Sequence, residues 1–381
     1  MDFLYEGIVA VFMDPKLIVM YAVGAVLIYL AIAKKLEPSL LLPMGFGAIL
    51  VNLPMSGAVT QQMAGIGEVT GILDWLFATG IHAAEAMPLL LFIGIGAMID
   101  FGPLLSSPKL LLFGAAAQFG IFLTITCAAL MGFPLVDAAS IGIIGAADGP
   151  TSILVSQVLK SQYVGPIAVA AYSYMALVPI IQPFAIKLVT TKKERAIRMP
   201  YNPMSVTRTA RLFFPIIVTI IAGLVAPASV SLVGMLMFGN LIRECGVLNS
   251  LSDTAQNVLV NLITLLLGIS IASTMRADVF VNWSTLMIML LGLLAFVFDS
   301  IAGVLFAKLL NIFFPKNKVN PMVGAAGISA FPMSARVVQK MGQEADPQNH
   351  LLMHAIGANV AGQIASVVAG GVILGIVPIL L

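Results

Sequence analysis

The chain has 381 residues, 60% of them hydrophobic and 9% charged, with a mean hydropathy of +1.05. A soluble domain carries about 25% charged residues, so a soluble globular enzyme is excluded and an all-α polytopic membrane protein is expected. A net charge of +2 leaves no footprint for nucleic acid, and Cys127 and Cys245 lie too far apart in sequence to suggest a ligand set or a redox pair.

Apolar runs of about 17–25 residues, the length that spans a bilayer as a helix, recur along the chain. The first, Leu17 to Ala33, is long for a signal peptide and lacks a small-residue cleavage site, so it is read as a span ending at Lys34-Lys35. A second run covers Leu40 to about Leu53, after the turn Glu37-Pro38. From Ser56 to Ala84, scattered glycines and Glu68 and Asp74 suggest a partly helical connection, with Trp75 and Phe77 at a membrane surface. Met87–Ile99 and Leu110–Met131 follow as spans, then an interrupted run from Ala138 to Leu159, then Val164–Val189 with Pro179 and Pro183 inside it.

Lys187 to Arg211 holds seven basic residues and one acid, Glu194. By the positive-inside rule this loop is expected in the cytoplasm; Lys34-Lys35 place the first loop there too, and hence the N-terminus outside. In the second half, spans are expected at Leu212–Leu224, Val230–Ile242, Val258–Thr274 and Trp283–Leu310. A loop with Lys316 and Lys318, an interrupted run from Asn320 to Val338 and a last span, Leu351–Leu380, complete the chain. The reading is about eleven spans in two halves, 1–190 and 212–381, joined by the basic loop 191–211.

The first interrupted run reads Ile144-Gly-Ala-Ala-Asp148-Gly-Pro-Thr-Ser152. A charge at membrane depth costs about 2.5–3.5 kcal/mol on insertion scales and marks a functional site by default. Gly149-Pro150 cannot continue a regular helix, since proline lacks the N–H and clashes with the preceding turn. The second interrupted run resembles the first at an offset of 182 residues: Pro150-Thr-Ser152-Ile-Leu-Val155-Ser-Gln157 against Pro332-Met-Ser334-Ala-Arg-Val337-Val-Gln339. Upstream, Gly94-Ile-Gly96 sets against Gly268-Ile-Ser270; downstream, Gln182 sets against Gln363 at nearly the same offset of 182 residues. Interrupted segments at corresponding positions point to an ion or substrate site between inverted repeats, crossing mid-membrane.

Few polar groups lie at this depth. Asp148, with Thr151 and Ser152 one turn on, either holds a cation or caps the half-helix beginning at Pro150; the two roles are compatible. Tyr174 is a site residue or a core tyrosine bonded to a carbonyl. Asn320, Ser329, Ser334 and Arg336 fall on the second interrupted run, and Asn359 and Gln363 lie one turn apart in the last span. Asn359 also suits a helix–helix contact, and Arg336 a snorkelling position at the interface. Asp299 is a second intramembrane carboxylate without adjacent helix breakers, and His350 and His354 have a zinc-like spacing but no further ligands.

Gly145-Ala-Ala-Asp148-Gly-Pro-Thr-Ser152, Tyr174, Phe238-Gly-Asn240-Leu-Ile-Arg-Glu-Cys-Gly246, Asn320-Pro-Met-Val-Gly324, Ser329, Arg336 and Asn359, in that order, resemble the β subunit of the biotin-dependent, sodium-pumping decarboxylases. The resemblance covers nearly the whole chain. It implies a cell inner membrane subunit that accepts carboxybiotin from a biotin carrier protein, releases CO2, consumes a proton and exports sodium. It implies a carboxyltransferase partner, a small γ/δ-type membrane subunit and a homotrimer. It also implies catalytic roles for Asp148, Tyr174 and Arg336, and sodium sites drawn from Asp148, Thr151, Ser152, Tyr174, Asn320, Gly324, Ser329 and Asn359. Asp148 is expected with Asn359, within about 6 Å if they share an ion, and Tyr174 with Ser329. Arg336 suits the carboxylate of carboxybiotin. A sodium symporter or sodium/proton antiporter would share the interrupted helices without biotin chemistry, and a structural anchor would need no Asp148.

Overall fold

In lipid a helix satisfies its own backbone without closing a barrel, and nearly every apolar run of this chain is helical. The computed structural model describes residues 3–63, 65–83, 85–200, 206–315 and 318–381. Residues 201–205 of the basic loop and Lys316 lie outside the described residues.

The first half contains α1 (Pro15–Ala33), α2 (Pro38–Val51), α3 (Ala86–Met98), α4 (Leu111–Ala117), α5 (Phe119–Leu130), α6 (Leu135–Gly142), α7 (Gly149–Val158) and α8 (Val164–Val189). The second contains α9 (Arg208–Val225), α10 (Val230–Cys245), α11 (Val260–Ile271), α12 (Trp283–Phe313), α13 (Pro321–Ala325), α14 (Met333–Ala345) and α15 (Leu352–Leu380). The connection after α2 differs in detail from its sequence reading. Besides a short helix at Ile72–Phe77 it carries an antiparallel hairpin, β1 (Gln61–Met63) against β2 (Gly67–Val69). Gly65 and Gly67, at positive φ, allow the reversal.

By length and composition, seven helices among the described residues are able to cross a membrane, or eight if the bent pair ending in α3 is one span. The expectation of eleven also counted α2, α10 and the two interrupted runs, which are too short or too broken to pass alone. The lipid-facing surface is plain on α9, where Phe213, Ile216, Ile217, Ile220, Ile221 and Leu224 are all exposed. Pro179 and Pro183 do not end α8, which runs through both.

The packing repeats between halves. The α1–α2 hairpin lies against α11 of the second half through α2, and the α9–α10 hairpin lies against α3 of the first half through α10. In the same way α8 packs on α12 and on α14, while α15 packs on α4 and on α7. Each half therefore clasps the other, and the core where they meet is built around Ile143, Ala146, Ala147, Ile328 and Ala330, all essentially inaccessible.

The α3–α10 contact depends on backbone-to-backbone approach. A Cβ added to Gly96 would fall on the Leu236 carbonyl oxygen, and one on Gly239 would fall on the Ile93 carbonyl oxygen. Both obstacles are backbone and cannot rotate away. Overpacking of this kind typically costs about 1–3 kcal/mol. Gly96→Val should therefore lower the melting temperature of the detergent-solubilised protein, whereas Gly375→Ala, where a Cβ meets nothing, should leave it unchanged; equal melting curves for the two variants would contradict this contact.

Candidate functional site

The first interrupted run breaks at Ala147, two residues before the glycine-proline pair. Helix α6 tightens into a 3-10 turn at Ile143–Ala146, Ala147 turns left-handed at φ 54°, and Asp148 becomes the N-cap of α7. Pro150 sits in the first turn of α7, where its missing N–H costs nothing. Asp148 is 3% exposed. Its Oδ1 accepts from the Thr151 backbone N–H at 3.3 Å; its Oδ2 accepts from the Thr151 hydroxyl at 2.7 Å and from the Ser366 hydroxyl of α15 at 2.9 Å. The Ser152 hydroxyl donates to the Asp148 carbonyl at 2.8 Å. Of the two roles expected for Asp148, the capping of α7 is thus present in the structure.

The second run breaks between α13 and α14, through Ile328, Ser329 and a cis Phe331-Pro332 bond. The two breaks meet directly: the Ser329 backbone N–H donates to the Ala146 carbonyl at 3.0 Å. Long helices brace what the breaks leave open. Asn359 of α15 donates to the Ile328 carbonyl at 2.6 Å, and the Ser329 hydroxyl donates to the Gly362 carbonyl at 3.0 Å. From the first half, Gln182 of α8 donates to the Ala325 carbonyl at 2.8 Å and to the Ser334 hydroxyl at 2.6 Å. Gln182 thus reaches across to the second break much as Ser366 reaches across to the first.

Beside the crossing lies a cavity of about 180 Å3, lined by Ala147, Asp148, Tyr172, Ser329, Thr264 and Gln363 among others. A water occupies about 30 Å3, so the space suits a small ion with part of its shell. Among the described residues the Tyr172 hydroxyl and Gln363 Oε1 are buried without a hydrogen-bond partner, and Asn359 Oδ1 is likewise unpaired beside Ile328. One carboxylate with several neutral oxygens is the donor set of a hard cation. Glu37, Phe331 and Pro332 also line the cavity. Beyond them opens a groove of about 510 Å3 that carries Lys35, Lys187, Arg336 and Lys340 against Glu37 and Glu344.

The other expected site residues form the frame around this cavity. The Tyr174 hydroxyl donates to the Met289 carbonyl of α12, and its ring packs toward Gly292 and Ile144. Among the described residues no hydrogen bond joins it to Ser329; the neighbouring tyrosine, Tyr172, is the one that lines the cavity. Asn320 caps α13 and donates to the Arg195 and Ile197 carbonyls, both at 2.8 Å, tying the second run to the basic loop. That loop is docked, with Arg198 on Asp346 at 2.5 Å and Lys308 on Glu194 at 2.9 Å. Gly324 lies against Gly303 of α12, where either Cβ would strike the other's carbonyl oxygen. Asp299 accepts from the Gly120 N–H at 2.5 Å and so caps α5.

Ser366 and Tyr172 were missed. Ser366 was legible, because Asn359, Gln363 and Ser366 fall at i, i+4 and i+7 on one helix face. Tyr172 was not, because it and Tyr174 are both buried within a single helix.

The sequence pattern of the family described as the Na+-transporting oxaloacetate decarboxylase beta subunit matches residues 16–377. The methylmalonyl-CoA decarboxylase subunit beta of Propionigenium modestum is 50% identical over 376 residues, which cover 94% of each chain. The glutaconyl-CoA decarboxylase subunit beta of Acidaminococcus fermentans is 49% identical, over 94% of this chain and 92% of its own. The probable oxaloacetate decarboxylase beta chain of Vibrio cholerae is 46% identical, over 93% of this chain and 94% of its own. These relatives favour the decarboxylase reading over a secondary transporter without biotin chemistry. The chain belongs to the family of sodium-transporting decarboxylase beta subunits, membrane subunits of multi-subunit decarboxylase complexes.

Proposed function

We propose that this chain takes the carboxyl group from carboxybiotin, presented at its basic groove by a biotin carrier protein, and uses the loss of CO2 to move sodium outward through the Asp148 cavity. The observation that carries this reading is a small cavity lined by the Asp148 carboxylate together with residues of both halves, Tyr172 and Gln363 among them, whose side-chain oxygens are uncommitted among the described residues. Asp148 is the charged sodium ligand. Gln363, Ser329 and the Tyr172 hydroxyl, with Asn359 close behind, supply neutral oxygens. Thr151 and Ser366 hold the carboxylate in place and Ser152 holds the Asp148 backbone carbonyl, while Tyr174, Asn320 and Gly324 hold the helices around it.

The groove suits an anionic substrate. Carboxybiotin is a monoanion, and Arg336 can grip its carboxylate through two N–H groups, with Lys187 and Lys340 beside it. In the reaction the C–N bond breaks, CO2 leaves, and the ureido nitrogen takes up a proton. Moving one sodium against 100 mV requires about 2.3 kcal/mol, the work that CO2 release supplies. The charge of this face supports a cytoplasmic position for the groove and for the loop from Lys187, at the cell inner membrane. The carboxyltransferase and carrier dock there, a small γ/δ-type subunit packs in the membrane, and three copies of the chain assemble. The clasped halves act as inverted repeats. The acid consumed is chosen by the carboxyltransferase, not by this chain.

Asp148→Asn should abolish sodium-dependent decarboxylation and 22Na+ uptake by vesicles bearing the whole complex, while avidin should block uptake by the unsubstituted complex. Turnover with unchanged sodium dependence in an assembled Asp148→Asn complex would sink the assignment. Ser366→Ala removes one hydrogen bond to a charged group, worth about 1.5–3 kcal/mol, and should raise the sodium concentration for half-maximal rate about tenfold or more; an unchanged sodium requirement would show that Ser366 does not hold the carboxylate. In a chain with Cys127 and Cys245 replaced by alanine, a cysteine introduced by Lys193→Cys should react with an impermeant maleimide only from the cytoplasmic side. Reaction only from the opposite side would reverse the topology.

A further inference from the structure

Glu37 is the residue common to the linings of the Asp148 cavity and the basic groove. It stands at the turn from α1 to α2, the N-cap position of α2. An acidic N-cap ordinarily turns its carboxylate onto the first free amides of the helix. Here no side-chain capping bond forms, and the backbone sits left-handed at φ 36°, a region that a residue with a Cβ seldom adopts. Four cations line the groove with it, yet among the described residues Glu37 makes no ion pair with any of them. The carboxylate is thus held away from its helix, left unpaired, and set between two spaces that touch nowhere else in their linings.

We propose that Glu37 is a sodium relay: a transient ligand that draws the ion from the cytoplasmic groove and passes it to Asp148. The proposal rests on Asp148 as the sodium carboxylate. A groove built to attract an anion repels the cation that must pass through it. At physiological salt such repulsion extends about 8 Å, so groove-lining cations lie within reach of the passage. One unpaired carboxylate at the throat offsets that field where the groove narrows. Ser39 and Thr264, both lining the cavity, place hydroxyls beyond it, and a hard cation takes such oxygens in turn. Burial raises the Glu37 carboxyl above the usual carboxylate range and the Arg336 guanidinium opposes that rise.

The test uses the whole complex. Glu37→Gln should raise the sodium concentration for half-maximal decarboxylation about tenfold, with a smaller fall in maximal turnover, and Glu37→Asp should restore part of the loss. An unchanged half-saturating sodium concentration in assembled Glu37→Gln, or a fall in turnover alone, would overturn the relay. If neither variant assembles, the unsubstituted complex decides. Modification of Glu37 by a hydrophilic carbodiimide, read by mass spectrometry, should be suppressed by sodium and not by choline, and labelling indifferent to sodium would overturn the proposal. Asp148→Asn separates the two levels. If that variant keeps its sodium dependence, the reading of Asp148 falls. If it loses that dependence while Glu37 fails both tests, the relay alone falls.

Discussion

A backbone broken inside a membrane must find partners within the protein, because lipid offers none. That constraint organises this chain. The hydrogen bond from the Ser329 N–H to the Ala146 carbonyl joins one break to the other. Asn359, Gln182 and the Ser329 hydroxyl take up further groups that the breaks expose or bring close. Asp148 belongs to the same scheme. It caps α7 with one oxygen and is steadied through the other from α15. The cavity exists because the two runs stop short there and do not pass through as helices.

The same logic explains why the site draws on both halves. With oxygens from both halves around it, a cation in this cavity would feel any relative movement of the halves. Asp148 and Tyr172 come from the first half, Gln363 and Ser329 from the second. The clasp of α2 on α11 and of α10 on α3 joins the two halves on either side of the crossing. Tyr174 on Met289 fixes α12 against α8, and Gly324 on Gly303 fixes it against the second run. Substitution there should disturb the geometry of a pump without touching its ion.

Much of this was legible in the sequence because charge and helix breakers are rare at membrane depth. Asp148 beside Gly149-Pro150, the repeat between the two runs and the basic loop each stood out against an apolar background. What was not legible depends on rotation about a helix axis. Nothing in the run containing Tyr172 and Tyr174 says which ring faces the cavity and which faces α12. The break itself lies at Ala147, an ordinary residue forced left-handed by its surroundings, and Pro150 begins the next helix. The small hairpin after α2 escaped notice because three-residue strands carry almost no periodicity. The carbonyls that Asn320 holds belong to Arg195 and Ile197, more than a hundred residues away. Sequence alone gives no sign of that pairing.

The central claim is that one sodium ion sits where the two interrupted helices cross. The most direct measurement is a pair of cryo-electron microscopy maps of the complex at ion-resolving detail, one in sodium and one in choline. The account predicts density in the sodium map alone, within coordinating distance of the Asp148 carboxylate and the Gln363 side-chain oxygen. Sodium density elsewhere, with the Asp148 cavity the same in both maps, would contradict it.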